Sequence, residues 1–384
     1  MSLAGGRVIT LSLMLSAANI LGSSGLMVWV DHSIRSNISF FDTYSPLILY
    51  LLGLSLGCCV VGVAGNFYCQ SVRAKKRLLL LSCVVAFFIC CALAAGDGGS
   101  AKWVELLLRF CWGWTSGCSV VLARVMLIAP ENTNKSRVNF SMLSLGLACF
   151  PLIVPVVFSL SDFCQRSASA VAAACFYSVC VLMMVGMRFD VQKVNTFGER
   201  QGAIKLPTVF DFSNLVILNV CFFLLLMLLP IVKELSFSNV DISTVYMSLL
   251  GGWGVIGTLC MCRVSAVSSL YRLVVGGLTQ VGMLVCCLLM IYFDALSLFY
   301  VVIVLAFLAN ILIQPVLFMS LGRHAHAKYL LFGLQSGVYI LIVCGLLSGV
   351  VYFEWEIRSI IDLFWWLAAM SLVLSCLSVV KALK

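Results

Sequence analysis

The sequence is short of charge. Asp, Glu, Lys and Arg together fill 10% of its 384 positions, against 62% hydrophobic residues. Soluble domains carry roughly a quarter charged residues. No water-soluble fold can cover this much apolar surface, because a globular protein needs polar groups to face solvent. Histidine is scarce, with three in the chain. His324 and His326 sit beside Arg323 and Lys328, a cytoplasmic-loop composition with too few ligands for a metal. No HExxH, GxSxG or GxxxxGK[ST] occurs, which argues against a membrane protease, an esterase and an ATP-driven pump within this chain. The 19 cysteines contain no CxxC pair and lie inside apolar runs, as small packing residues. No metal and no cofactor is expected. Ten-residue alternating segments are missing too, which excludes a β-barrel.

What is present is a series of long apolar runs. They fall at 8–30, 45–66, 77–95, 103–128, 138–160, 168–187, 212–233, 242–262, 270–292, 296–320, 328–351 and 359–381. Each is near the ~20 residues that span a bilayer as a helix, and lipid leaves the backbone no other way to satisfy its polar groups. The first run is read as an uncleaved span rather than a signal peptide. The chain is therefore expected to be an all-α membrane protein of twelve transmembrane helices.

The net charge of +9 follows from sidedness rather than from nucleic acid as a partner. With both termini in the cytoplasm, seventeen basic residues fall inside, among them Arg73, Lys75, Lys76 and Arg77, and five fall outside. That is the positive-inside pattern of an inner-membrane protein. The longest polar stretch, 188–211, lies at the midpoint and contains Gly198, Gly202 and Pro207. It divides the chain into a six-helix bundle at 1–187, a cytoplasmic linker at 188–211, and a second bundle at 212–384. In transporters two such bundles rock about a midplane site.

Arg109 lies about two turns inside the fourth span. A charge there costs at least ~2.5 kcal/mol on insertion scales, so it should face the bundle interior or a cavity. Glu105, four residues earlier, can pair with it. The pair reads as a substrate-binding or coupling site, although an arginine about 9 Å from the helix start can also snorkel to the interface. Arg124, near the other end of that span, reads as a gate contact or a second snorkelling cation. Asn310, Gln314 and Gln335 are polar at membrane depth and can hydrogen-bond either a solute or a neighbouring helix. Gly62, Gly65 and Asn66 allow close helix approach. Pro151 and Pro155 should bend the fifth span.

Several of these segments resemble one family. The 6+6 plan is similar to that of the major facilitator superfamily. The stretch 106–124, with Arg109, Gly113, Gly117, Ala123 and Arg124, resembles the fourth helix of its bicyclomycin-resistance drug/proton antiporter branch. Pro151 and Pro155 resemble that branch's paired prolines. Asn310 with Gly333–Gln335 looks like its tenth and eleventh helices. The segment from Gly62 through Asn66 to Arg73 is similar to the superfamily's signature loop, with Asn66 standing in place of an acid. Gly25 stands near the position where the drug-efflux branch carries an acid in its first helix. The resemblance implies a monomeric secondary transporter of a small solute, with protons as candidate coupling ions and drug efflux by antiport as one form. Metabolite uptake or facilitated diffusion is the alternative, with a polytopic membrane enzyme or a non-transporting receptor behind it.

Overall fold

The computed structural model describes residues 40–68, 71–96, 102–127, 165–186, 206–236, 269–293, 298–322, 328–353 and 357–383, and parts of 10–23. Among them are nine helices: α1 (Phe40–Tyr68), α2 (Val72–Ala95), α3 (Lys102–Leu127), α4 (Gln165–Gly186), α5 (Leu206–Ser236), α6 (Ser269–Phe293), α7 (Leu298–Gly322), α8 (Lys328–Phe353) and α9 (Ile357–Leu383). All nine are long and apolar enough to cross a membrane. The described positions between 10 and 23 are also helical, within the first predicted span. The spans expected at 138–160 and 242–262, with Pro151 and Pro155, lie outside the described residues.

Three boundaries move. Arg73, Lys75 and Lys76, which precede the expected span at 77–95, lie with Arg77 in the first turn and a half of α2. Ser71 starts that helix, its hydroxyl accepting from the Ala74 amide at 3.0 Å. Four cations at the positive end of a helix dipole oppose it, so membrane sidedness explains their position better than helix stability does. The last six residues of the predicted linker, 206–211, are the opening turns of α5. Pro207, part of the expected linker, lies in the first turn of that helix, where its fixed φ is tolerated. Arg272, counted with the loop cations, lies in the first turn of α6 and is 1% exposed.

The helices pack in two sets. In the first, α1 packs on α3, and α2 on α3 and α4; in the second, α5 packs on α7, α8 and α9, and α6 on α7 and α9. The helix α8 joins the sets by packing on α1 and α3. Burial divides the helices in the same spirit. Within the apolar windows, 72% of positions are buried in α7 and 61% in α8, against 28% in α9 and 33% in both α2 and α6. The less buried helices turn Leu81, Phe88, Leu182, Leu278, Trp366 and Val373 outward, an apolar surface suited to lipid tails.

Glycines set the closest approaches. On α1, Gly53 and Gly57 lie against the α3 backbone at Phe110 and Trp114; on α3, Gly113 and Gly117 lie against the α1 backbone at Tyr50 and Leu54. A side chain at any of the four would overlap the facing backbone. The two GxxxG motifs thus interlock, and the contact replaces the hydrophobic drive that helices lack in lipid.

Candidate functional site

The α1–α8 seam runs antiparallel. The Cys344 thiol meets the Ile48 carbonyl at 3.7 Å, and the Ser55 hydroxyl donates to the Gly337 carbonyl at 2.7 Å. Gly62 faces Gly333, and Gly65 faces the Tyr329 ring. From Ile48 to Gly65 the seam is roughly 26 Å long at 1.5 Å per residue, most of the thickness of a bilayer core. At the end bearing the basic cluster, the Lys75 ammonium sits 5.8 Å from the centre of the Tyr329 ring.

Arg124 is the polar link across this seam. It is 8% exposed and its Nη1 donates to Ser336 Oγ at 2.5 Å and to Gln335 Oε1 at 3.5 Å. Its guanidinium lies over the Phe318 ring of α7, 5.0 Å from the centroid. Gln335 is fully buried, and its Nε2 has no acceptor among the described residues.

Arg109 occupies a different environment. Glu105, Arg109, Trp112 and Ser116 recur at helical spacing along one face of α3. Arg109 Nη2 lies 3.7 Å from Glu105 Oε1 and its guanidinium is 5.6 Å from the Trp112 ring centre, a cation–π distance. Tyr177 of α4 ties this face together. Its hydroxyl accepts from Trp112 Nε1 at 3.3 Å, meets Ser116 Oγ at 2.9 Å and donates to Asn19 Oδ1 at 3.4 Å. Tyr50 donates to the Asn19 carbonyl at 3.0 Å and packs edge-on to Trp112. This polar box joins α1, α3, α4 and the N-terminal helical stretch within the first helix set.

Asn310 and Gln314 of α7 belong to a third cluster. Both donate to Asn219 Oδ1 on α5, at 3.4 and 3.2 Å, while Asn219 Nδ2 donates to the Leu215 carbonyl at 2.7 Å. Further along α5, Asn214 bonds Ser371 and Ser375 of α9, and Gln280 of α6 donates to Ser371. Asp211, read from sequence as a linker acid, is 3% exposed. It accepts from Ser320 Oγ at 2.5 Å and from Ser378 Oγ at 3.2 Å.

The four residues singled out as candidates for solute binding or coupling are shared among three hydrogen-bonded clusters. Glu105 and Arg109 lie together, Asn310 lies with Asn219, and Gln335 lies with Arg124. Among the described residues, no hydrogen bond joins Arg109 to Asn310 or Gln335. Of the expected structural residues, Gly62, Gly113 and Gly117 lie at the close contacts above. Arg73 is exposed in the first turn of α2, and Asn66 lies in the last turn of α1. Sequence reading missed Asn219, Ser336, Tyr177, Asp211 and Arg272. A signal existed for the partners of Asn214 and Asp211: Ser371, Ser375 and Ser378 share one helical face.

No protein-family model matches the chain, and no curated protein matches it in sequence. Solved structures do match in fold. The proton:xylose symporter XylE, a major facilitator superfamily protein bound to 6-bromo-6-deoxy-D-glucose, superposes with a TM-score of 0.77 at 12% identity, covering 97% of this chain and 94% of that one. FucP, a major facilitator superfamily transporter in the outward conformation, superposes with a TM-score of 0.67 at 12% identity, covering 98% of each chain. The chain shares the fold of these two structures, a multi-pass membrane architecture.

Proposed function

We propose that this protein is a secondary transporter that moves a small solute by alternating access between two bundles, 1–187 and 212–384. The observation that carries this reading is the α1–α8 seam. Glycine contacts and hydrogen bonds, those of Arg124 among them, join the two helix sets along it. The interior beside it carries amide, hydroxyl and guanidinium groups, which are costly at membrane depth unless they serve a polar task. The fold supports the same reading, since both similar structures are transporters, and one is named as coupling xylose to protons.

The positive-inside pattern supports an orientation with both termini cytoplasmic, in an inner membrane. Drug/proton antiport and metabolite uptake are both forms of this reading. Asp211 is the one acid among the buried described residues, and both its oxygens accept from serines of α7 and α9, which favours a structural role for it over proton coupling.

Counterflow in proteoliposomes tests the proposal. Purified protein, loaded with unlabelled solute from a panel of sugars, carboxylates and drug-like cations, should accumulate the matching labelled solute transiently. Folded protein that exchanges no member of the panel would count against transport.

A further inference from the structure

Arg124 is a buried cation with no carboxylate partner among the described residues. It is 8% exposed, at the contact of the two helix sets, and its described partners are all neutral: the Ser336 and Tyr339 hydroxyls, the Gln335 carbonyl oxygen and the Phe318 ring. Among the described residues no carboxylate lies within ion-pair distance of it. A buried cation normally carries a counter-charge, because desolvation is compensated only by close pairing. Arg109 on the same helix follows that rule with Glu105; among the described residues Arg124 has no such partner.

A second unmet group sits beside it. Gln335 Nε2 is a buried donor with no acceptor among the described residues. Its orientation is fixed by Arg124, because turning the amide over would aim a donor at the guanidinium instead of an oxygen. A buried amide donor left without a partner costs about 1–3 kcal/mol. One positive charge and one free N–H therefore lie side by side, and both ask for the same thing, an oxygen acceptor with negative charge.

We propose that Arg124 and Gln335 bind the carboxylate group of the transported solute, one oxygen facing the guanidinium and the other the amide N–H. This rests on the transporter reading above. A carboxylate fits better than phosphate: it supplies two oxygens for two donors, and a single guanidinium balances one negative charge, not two. The flanking Phe318 packs on Phe332 and gives an apolar wall for the rest of a small organic acid. Because Arg124 belongs to the first helix set and Gln335 to the second, the same ligand contacts both halves. Its arrival changes what holds the seam together.

The test is ligand binding by detergent-solubilised full-length protein, read as a thermal shift and by titration calorimetry. The probes are acetate, benzoate, inorganic phosphate and xylose. Wild type should bind the two carboxylates and neither phosphate nor xylose. Gln335→Leu, which keeps a buried side chain of similar size, should weaken carboxylate binding about tenfold or more, the worth of one hydrogen bond to a charged group. Gln335→Glu should place the missing carboxylate inside the protein, raising the melting temperature and abolishing acetate binding. Arg124→Lys should weaken binding as well, since lysine lacks the fork geometry. Unchanged carboxylate affinity in folded Gln335→Leu, or a melting temperature lowered by Gln335→Glu, would overturn the assignment. Tight binding of phosphate or xylose without carboxylate binding would also overturn it, while leaving the transporter reading standing. Transport failure in counterflow with carboxylate binding intact would do the reverse.

Discussion

Gly62 of α1 and Gly333 of α8 meet backbone to backbone, with no space for a methyl group between them. The contact joins the two helix sets near the end that bears Arg73–Arg77. Any side chain at either position must push the helices apart. Gly333→Val is therefore expected to separate α1 from α8 at that end and to slow solute exchange tenfold or more. Spin labels or fluorophores on exposed positions of α1 and α8 should report the longer distance. A seam that stays closed in the variant would show that α8 can yield elsewhere.

The interlocked pair of α1 and α3 makes a different prediction, because it lies within one helix set. Gly113→Leu places a bulky side chain on the Tyr50 carbonyl. The expected result is loss of folded protein, seen as a poor yield and a broad size-exclusion profile. Gly62 and Gly113 are both transmembrane glycines, yet they should differ in phenotype: impaired exchange in folded protein for the first, failure to fold for the second.

Tyr177 offers a cleaner stability test. Its hydroxyl serves Trp112, Ser116 and Asn19 together. Tyr177→Phe removes one oxygen and leaves the buried Trp112 N–H without its acceptor. The expected cost is about 1–3 kcal/mol, measured as a lower unfolding midpoint in detergent. Little change in ligand affinity should accompany it, because the box lies apart from the Arg124 seam.

How far these features are legible in sequence follows from how local they are. Glu105 and Arg109 are four residues apart on one helix, so their pairing is written in spacing alone. The spans are legible because apolar length has one physical meaning in a bilayer. Arg124 and Ser336 lie 212 positions apart, and nothing at either site names the other. Tyr177 is hidden for the same reason, as one tyrosine in an apolar run. Asp211 was misplaced because a proline and a charge together look like a loop, whereas Ser320 and Ser378 supply the partners that let the acid be buried. Asn310 finds its described partner in Asn219, 91 positions away, and spacing along one helix cannot name a partner on another.

Asp211 carries the last prediction. It receives Ser320 from α7 and Ser378 from α9, so one carboxylate ties three helices of the second set. Asp211→Ala would leave both hydroxyls facing a gap and would break the tie. Asp211→Asn keeps the shape and one carbonyl oxygen, but its amide NH₂ can no longer accept from the second serine. The two substitutions should therefore rank Ala below Asn in stability, with the alanine variant about 2 kcal/mol or more below wild type. Transport should separate structure from coupling. If Asp211 only holds the helices, the asparagine variant keeps the pH dependence of uptake. If it carries the coupled proton, that variant still exchanges solute in counterflow but no longer accumulates it against a pH gradient. Support lies with the first outcome, because both carboxylate oxygens are already engaged within the bundle. Loss of gradient-driven accumulation alone in Asp211→Asn would assign the proton to this site.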